Sequence, residues 1–526
     1  MNLTTASRSA PIDIGPTLGV LAGALLWLGC TAWLRPLFLP DEGRYVGVAW
    51  EMLRSGDWFT PTLDGMPFFH KPPLFYWLTA AALQVFGANE WAARLASVLA
   101  ASATVTALYL FVRRWLGERR ARLAAVVLAT QPLFFVGAQF ANLDMLVAAC
   151  ISISILLGAH AVFRFEAGEP RWASLAGLYV GVALGVLAKG LIGLVLPALV
   201  LFLWLAARRR WRAMGSLLWP PGLVIALALL LPWFAVMQHR HADFLHYFFV
   251  VQQFQRYAQG GFNGVAPFWF YGPVLLVFCL PWSGWLSLAL ARQRAVAADP
   301  LGTRALMWTW LVVVVVFFSL PQSKLIGYVL PALVPLAFLI AHCAAPEIGT
   351  SVRATRAWWA SAGLAVCLCV GVVIGFSLNH PKSSRELAHA LAARHATGES
   401  IVFLDEYPYD LAFYLHGSTA FPVVSDWASA EIAMDDNWRK ELLDAARFAP
   451  TLAPDRLWNE AQFKAAVCGP KVVWVVASLD QLQRYPFLAQ AERVAMNFGR
   501  AVWRLDSSAA DLRAAAGCPA LARVRS

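Results

Sequence analysis

Between two long apolar stretches the sequence holds a polar loop whose residue types can do chemistry at a lipid–water boundary. It opens Pro40-Asp41-Glu42-Gly43-Arg44-Tyr45 and runs on to His70-Lys71-Pro72-Pro73-Leu74-Phe75-Tyr76-Trp77. Charge at the edge of a bilayer is costly unless it is paired or hydrated, so Asp41 and Glu42, directly after Leu37-Phe38-Leu39-Pro40, mark a candidate active site. A proline-marked helix end with solvated carboxylates accounts for the same pattern more plainly. Asp144, in Phe140-Ala141-Asn142-Leu143-Asp144-Met145, reaches that boundary from a separate loop. Alone it reads as the N-cap of the next span. Two acidic residues arriving at one boundary strengthen the functional reading of both.

A second group is cationic: Lys71, Arg256, Lys324 and the phenol of Tyr328. If Ser319–Tyr328 turns into helix, Lys324 and Tyr328 share one face at i, i+4. Cations and a phenol at one surface suit a phosphate, because charge-assisted hydrogen bonds to it are strong and arginine binds it in a fork. Any one of these cations alone is explained by snorkelling to the headgroups. Asp41, Glu42, His70 and Asp144 are also donors that a divalent metal accepts. No DxD surrounds Asp41 and no HExxH or CxxC occurs, so the cofactor stays open; His70 alone reads as a polar loop residue. The absence of a P-loop or a Rossmann glycine pattern argues against a nucleotide-powered pump or a soluble nucleotide-sugar transferase.

The elements that must position these groups are membrane helices. The chain has 526 residues, 59% apolar and only 14% charged, against roughly 25% charged in soluble domains. About eleven apolar runs are long enough to span a bilayer, roughly 15–38, 92–112, 123–140, 143–163, 172–188, 191–207, 215–237, 268–291, 305–320, 325–343 and 357–378. The first run is long and lacks a small-residue cleavage site, which predicts an uncleaved span. The net charge of +11 does not call for nucleic acid, because the basic residues alternate with the spans. Arg113, Arg114, Arg119, Arg120 and Arg122 fill one short loop; Arg208, Arg209, Arg210 and Arg212 fill another. Arg292, Arg294 and Arg304, and then Arg353 and Arg356, follow. The positive-inside rule makes that side cytoplasmic. The loops 41–91 and 238–267 and everything after residue 378 are then exported.

The loop 41–91 is about fifty residues long, uncommon without a function. Tyr45, Val48, Ala49, Met52 and Leu53 at helical spacing, closed by Ser55-Gly56-Asp57, predict an amphipathic helix lying on the membrane surface. The aromatic run around Phe244-Leu245-His246-Tyr247-Phe248-Phe249 also suits the interface. In the tail, Ser383-x-x-Glu386 reads as a capping box opening a helix through Leu387 and Leu391. Ile401–Leu404, Val472–Val476 and part of Val494–Leu505 read as strands, with helices near 454–467 and 479–491 between them, hence a small α/β domain. Of eight cysteines, six lie in or near apolar spans. Cys468 and Cys518 are the exported pair able to form a disulfide.

These stretches together resemble the GT-C membrane glycosyltransferases that use polyprenyl-phosphate sugars, most closely the lipid A aminoarabinose transferase family. The resemblance rests on Asp41–Trp77, Asn142–Met145, His246–Phe249 through Gln255-Arg256, Ala266-Pro267-Phe268-Trp269, Leu280-Pro281-Trp282, and Ser323-Lys324-Leu325 to Tyr328-Val329-Leu330-Pro331. It implies a polytopic α-helical membrane protein of GT-C type with about 11–13 spans: a catalytic membrane domain over 1–378, with periplasmic loops 41–91 and 238–267, and a periplasmic α/β domain over 379–526. It implies a sugar, 4-amino-4-deoxy-L-arabinose foremost, carried on undecaprenyl phosphate and moved to lipid A or a related acceptor at the periplasmic face of a bacterial inner membrane. Asp41 would stand at the reaction centre with Asp144 as acidic partner. Lys71, Arg256 and Tyr328 would hold the carrier phosphate, and Arg44 would support the loop, with Glu42, His70 and Lys324 nearby. Two departures bear on the sugar and on any metal: His70 replaces the family's glutamate before Lys-Pro-Pro, and Gln252-Gln253 replaces a Glu-His pair. Another sugar (hexosamine, uronic acid or mannose) onto lipopolysaccharide core, another lipid or protein is the alternative of the same class. A lipid or solute transporter is the alternative of another class, and the lack of an internal repeat weighs against it. The polar groups lie at the boundary instead of midplane; Lys189, at a helix junction or at the exported end, is the main exception.

Overall fold

The computed structural model describes residues 14–255, 264–287, 299, 301–378, 383–417, 420–433 and 436–519. The chain divides into two compact units: Met1–Arg35, His70–Ala82 and Asn89–Leu378 form the first, and Pro36–Phe69, Leu83–Ala88 and Asn379–Ser526 the second.

The first unit is helical. Six helices among the described residues are long and apolar enough to cross a membrane: Glu90–Leu116, Leu143–Glu166, Trp172–Lys189, Pro220–Arg240, Ile326–Ala344 and Val352–Leu378. Glu118–Thr130 and Pro132–Ala138 form a seventh candidate bent by 67°, and Ile14–Gly29, Leu74–Phe86, Ile192–Ala207 and Thr303–Ser319 are shorter apolar helices. Two expectations change. The run 268–291 does not begin as one long span: helix Tyr271–Phe278 gives way to a 3₁₀ turn at Trp282–Trp285, where Pro281 has no amide to continue the helical ladder. Conversely, Leu74–Phe86 is a helix inside the stretch read as loop. At 13 residues it falls below the roughly 20-residue signal of a span.

Small residues bring the central helices together. Gly177, Gly181 and Gly185, four apart on Trp172–Lys189, meet Leu157, Ser154 and Gly193 respectively, and a Cβ on Gly193 would lie 2.2 Å from the backbone of Gly185. The arginine-rich loops gather at one end. Arg114 pairs with Glu169 at 3.1 Å, Arg210 with Glu166 at 3.2 Å, and Arg113 with Glu118 at 3.1 Å. Glu166 closes the helix that Leu143 opens, 24 residues long, which puts the two ends about 36 Å apart. Asp144 therefore lies at the end opposite the arginines, as the sidedness rule requires of an exported group.

The second unit is built on a six-stranded sheet of order β5-β4-β3-β6-β8-β7. Its strands are β3 (Ser400–Leu404), β4 (Val423–Val424), β5 (Leu457–Trp458), β6 (Val473–Ser478), β7 (Glu492–Asn497) and β8 (Arg500–Leu505). β5, β4, β3 and β6 run parallel, and β8 and β7 complete the sheet antiparallel. The expected strand in 494–505 is thus a hairpin of two. Ser383-x-x-Glu386 is not a capping box. Ser383 Oγ accepts from Arg385 N at 3.2 Å and donates to Asp410 at 3.1 Å, so a buried aspartate claims the hydroxyl.

Cys468 and Cys518 are joined across a separation of 50 residues. A loop of that length confers about 4 kcal/mol through the unfolded chain. Replacing both cysteines with serine should lower the thermal midpoint of the second unit while leaving that of the first in place, read by calorimetry; coincident, unchanged transitions would contradict this.

Helix Asp41–Ser55 belongs to the second unit. It ends in Gly56 at φ 74, whose amide bonds Met52 O, the left-handed C-cap that glycine supplies. The membrane-surface expectation is corrected: Val46, Val48, Ala49 and Met52 are wholly buried, covered by protein. Gly43 and Gly47 allow the backbone of 409–410 to lie against the helix, and a Cβ on Gly47 would sit 2.9 Å from Tyr409 O. Beyond the helix, Asp64 and Gly65, both at positive φ, form the tight turn between β1 (Thr62–Leu63) and β2 (Met66–Pro67).

That turn rests on two buried carboxyls. Glu51 accepts from the amides of Asp64 at 2.8 Å and Gly65 at 3.0 Å, and Asp64 Oδ1 accepts from Phe421 N at 2.7 Å. Burial pushes Glu51 up to about 7, against the bonds from Thr62, Gly65 and Asp64, and burial with the neighbouring Glu51 also raises Asp64. A carboxyl raised in the folded state contributes its full stability below its unfolded value near 4.5 and loses it as pH rises through about 7. Asp410, pushed up to about 6 by burial, adds to the same slope. The stability of the second unit should therefore fall between pH 5 and pH 8, by at most about 3 kcal/mol for Glu51, and its thermal midpoint should fall with it. Glu51→Gln should flatten the slope; a midpoint already flat in the unaltered protein would refute the assignment.

Candidate active site

In the first unit the chemistry gathers around Asp144. Asn142, not Asp144, is the N-cap of Leu143–Glu166: its side chain accepts from Asp144 N at 3.0 Å. Relieved of capping, the Asp144 carboxylate accepts from Asn142 Nδ2 at 3.3 Å and pairs with Lys189 Nζ. Lys189 is the last residue of its helix, and Gly190 at φ 94 turns the chain away. Its ammonium also lies over the Tyr328 ring, 4.4 Å from the centroid, an attraction between cation and ring quadrupole. A small cleft is lined by Asp144, Lys189, Gly327, Tyr328, Phe318 and Pro331, among others. A Cβ on Gly327 would fall 2.4 Å from Asp144 Oδ2, so only glycine leaves the carboxylate its room.

Gln253, in the π-helix His246–Gln255, lies against Gly190, which brings the Gln252-Gln253 departure beside Lys189. Gln252 itself donates to Tyr247 Oη at 2.9 Å, and the buried His70 ring is 6.2 Å from Tyr247. Lys71 lies half-buried in the turn before Leu74–Phe86. Arg256 lies outside the described residues. Lys324 departs from expectation. It precedes the 3₁₀ segment Ile326–Ala332 instead of sharing a helix face with Tyr328. Its buried ammonium donates to Ala266 O at 2.8 Å and Pro321 O at 2.5 Å, so it acts as a clasp between two chain segments.

The second unit holds the other acidic residues. Asp41 opens its helix after Pro40, its side chain about a third exposed, and accepts from Arg44 Nη2 at 2.5 Å. Glu42 is wholly buried and accepts from Phe38 N at 2.9 Å, which commits it to the helix start. Arg44 donates its other arm to Glu441, whose second oxygen accepts from Tyr409 Oη at 2.5 Å. Burial alone would lower the Arg44 guanidinium, but Glu441, Tyr45, Asp41 and Tyr409 outweigh it and hold Arg44 above its usual range. Burial, then Glu441, raises the Tyr409 phenol, so it stays a donor. Among the described residues no three His, Cys, Asp or Glu side chains group as a metal site.

Residues 70–235 match the family of dolichyl-phosphate-mannose-protein mannosyltransferases. The undecaprenyl phosphate-alpha-4-amino-4-deoxy-L-arabinose arabinosyl transferase of Pseudomonas paraeruginosa is 35% identical over 312 residues, 58% of this chain and 55% of its own. That of Pseudomonas aeruginosa is 35% identical over 361 residues, 66% of this chain and 63% of its own. The crystal structure of ArnT from Cupriavidus metallidurans bound to undecaprenyl phosphate superposes with a TM-score of 0.77 at 23% identity, covering 95% of this chain and 99% of that one. In sequence the chain is similar to these transferases of the ArnT-like GT-C family. It is a multi-pass protein of the bacterial inner membrane with the ArnT fold, and it spans about three fifths of the length of the curated relatives it matches. Of the three neighbours in this ArnT-like chain, sequence reasoning singled out Asp144 and Tyr328 and left Lys189 aside. The signal was present: a lone lysine followed by glycine at the junction of two apolar runs, on the side away from the arginines.

Proposed function

We propose that this chain moves a sugar, 4-amino-4-deoxy-L-arabinose or a close analogue, from undecaprenyl phosphate to lipid A or a related acceptor at the periplasmic face. The observation that carries the reading is the Asp144–Lys189–Tyr328 cluster at the end of the helical unit opposite the arginine-rich loops, in a chain whose relatives are named for that transfer.

The acceptor oxygen attacks the anomeric carbon as the bond to the carrier phosphate breaks, and the electron pair leaves on undecaprenyl phosphate. Lys71, Arg256 and Tyr328, joined by Lys189, stabilise that growing charge, the electrostatic contribution that is usually largest in such reactions. If a phosphate monoester of lipid A is the acceptor, it is already a nucleophile and Asp41 orients it. If a hydroxyl is the acceptor, its proton passes to Asp41 as general base. Displacement in one step inverts the anomeric centre. Asp144 holds Lys189 in place until a phosphate competes for it.

Mass spectrometry of lipid A from cells with and without this chain tests the reading. A pentosamine added to a lipid A phosphate only when the chain is present is the expected result. An added hexosamine, uronic acid or mannose would change the sugar and keep the chemistry; unmodified lipids in both samples would overturn the assignment.

A further inference from the structure

Arg44 stands between two carboxylates, Asp41 and Glu441. Glu441 is 2% exposed and spends both oxygens, one on Arg44 and one on Tyr409 Oη. The guanidinium is flanked by the rings of Tyr45, 5.0 Å away, and Tyr409, 5.9 Å away. The segment carrying Tyr409 lies directly on Gly43 and Gly47 of the same helix, so its approach is set by two residues that lack side chains. Stability alone does not demand this arrangement, since a buried ion pair of good geometry is often matched by apolar side chains of similar volume. What it does provide is orientation: with one arm bound to Glu441, Arg44 offers a single N–H to Asp41 instead of closing on it as a two-pronged pair.

We propose that Glu441, braced by Tyr409, is a positioning residue that acts through Arg44 to keep the Asp41 carboxylate oriented and basic. The C-terminal segment thereby contributes to the chemistry of the 41–44 loop, beyond serving as a cover. The inference rests on the reading of Asp41 as the reaction-centre carboxylate.

The test uses the full-length protein in lipid nanodiscs with undecaprenyl-phosphate aminoarabinose and lipid A. Glu441→Gln should lower kcat about a hundredfold through lost orientation, leave the KM for the donor nearly unchanged, and move the acid limb of the pH profile to lower pH. That last shift arises because Arg44, released from Glu441, gives its whole charge to Asp41 and favours the ionised form. Glu441→Asp should recover part of kcat. Tyr409→Phe, which removes one hydrogen bond, should give a smaller change of the same kind and stands in for Glu441→Gln if that variant does not fold. Wild-type kcat with an unmoved acid limb in the folded variants would overturn the proposal, as would a loss that only tracks the folded fraction. Asp41→Asn separates the two ideas. If it stays active, the reading of Asp41 has failed; if it is inactive while Glu441→Gln matches wild type, only the positioning role has failed.

Discussion

Asp41→Asn should reduce sugar transfer by roughly a hundred- to ten-thousandfold, the range of a positioned acid–base group, while the protein remains folded. The structure favours this separation of effects. The Asp41 side chain is about a third exposed, and its helix keeps Glu42 bonded to Phe38 N and Arg44 bonded to Glu441. An asparagine of the same shape still accepts from Arg44 but cannot carry charge or take a proton. Transfer measured with donor and acceptor lipids, alongside thermal unfolding, reads both. Near-normal transfer removes Asp41 from the mechanism; loss together with unfolding would make it structural instead.

Lys189→Met should cost both stability and transfer. Removing the cation leaves Asp144, largely buried and pairing with it, uncompensated, a penalty of about 3 kcal/mol. Asp144→Asn should destabilise by leaving Lys189 without its counter-charge. The double variant removes both charges, so its thermal midpoint should return towards wild type, the non-additivity expected of a contacting pair. Transfer should stay at least about a hundredfold down in the two variants that lack Lys189, because that cation no longer meets the charge growing on the leaving phosphate. A double variant that recovers transfer along with stability would reduce the pair to a packing device.

Much of the local character was legible. The apolar runs predicted ten of the helical stretches at nearly the right places, because hydropathy over about 20 residues reports the need to bury backbone in lipid. The two misreadings have local causes: Pro281 interrupts a run that composition alone makes continuous, and Leu74–Phe86 is too short to register. Strands β3 and β6 were visible as short apolar runs. The hairpin of β7 and β8 was not, because its turn at Phe498-Gly499 lies inside one amphipathic stretch. Lys324 and Tyr328 were paired by an α-helical spacing that a 3₁₀ segment does not keep, since the register of a face depends on residues per turn.

Residue types and their order determined that this is a membrane protein, which end of its helices carries the arginines, and that Asp144 lies at the opposite end. The tertiary structure alone decided the partners: Asp144 with Lys189 across 45 positions, Arg44 with Glu441 across 397, and helix Asp41–Ser55 buried in protein instead of resting on lipid. Hydropathy and spacing are properties of neighbours along the chain. Which charge meets which depends on how helices and loops distant in sequence pack, and burial then makes each pairing obligatory.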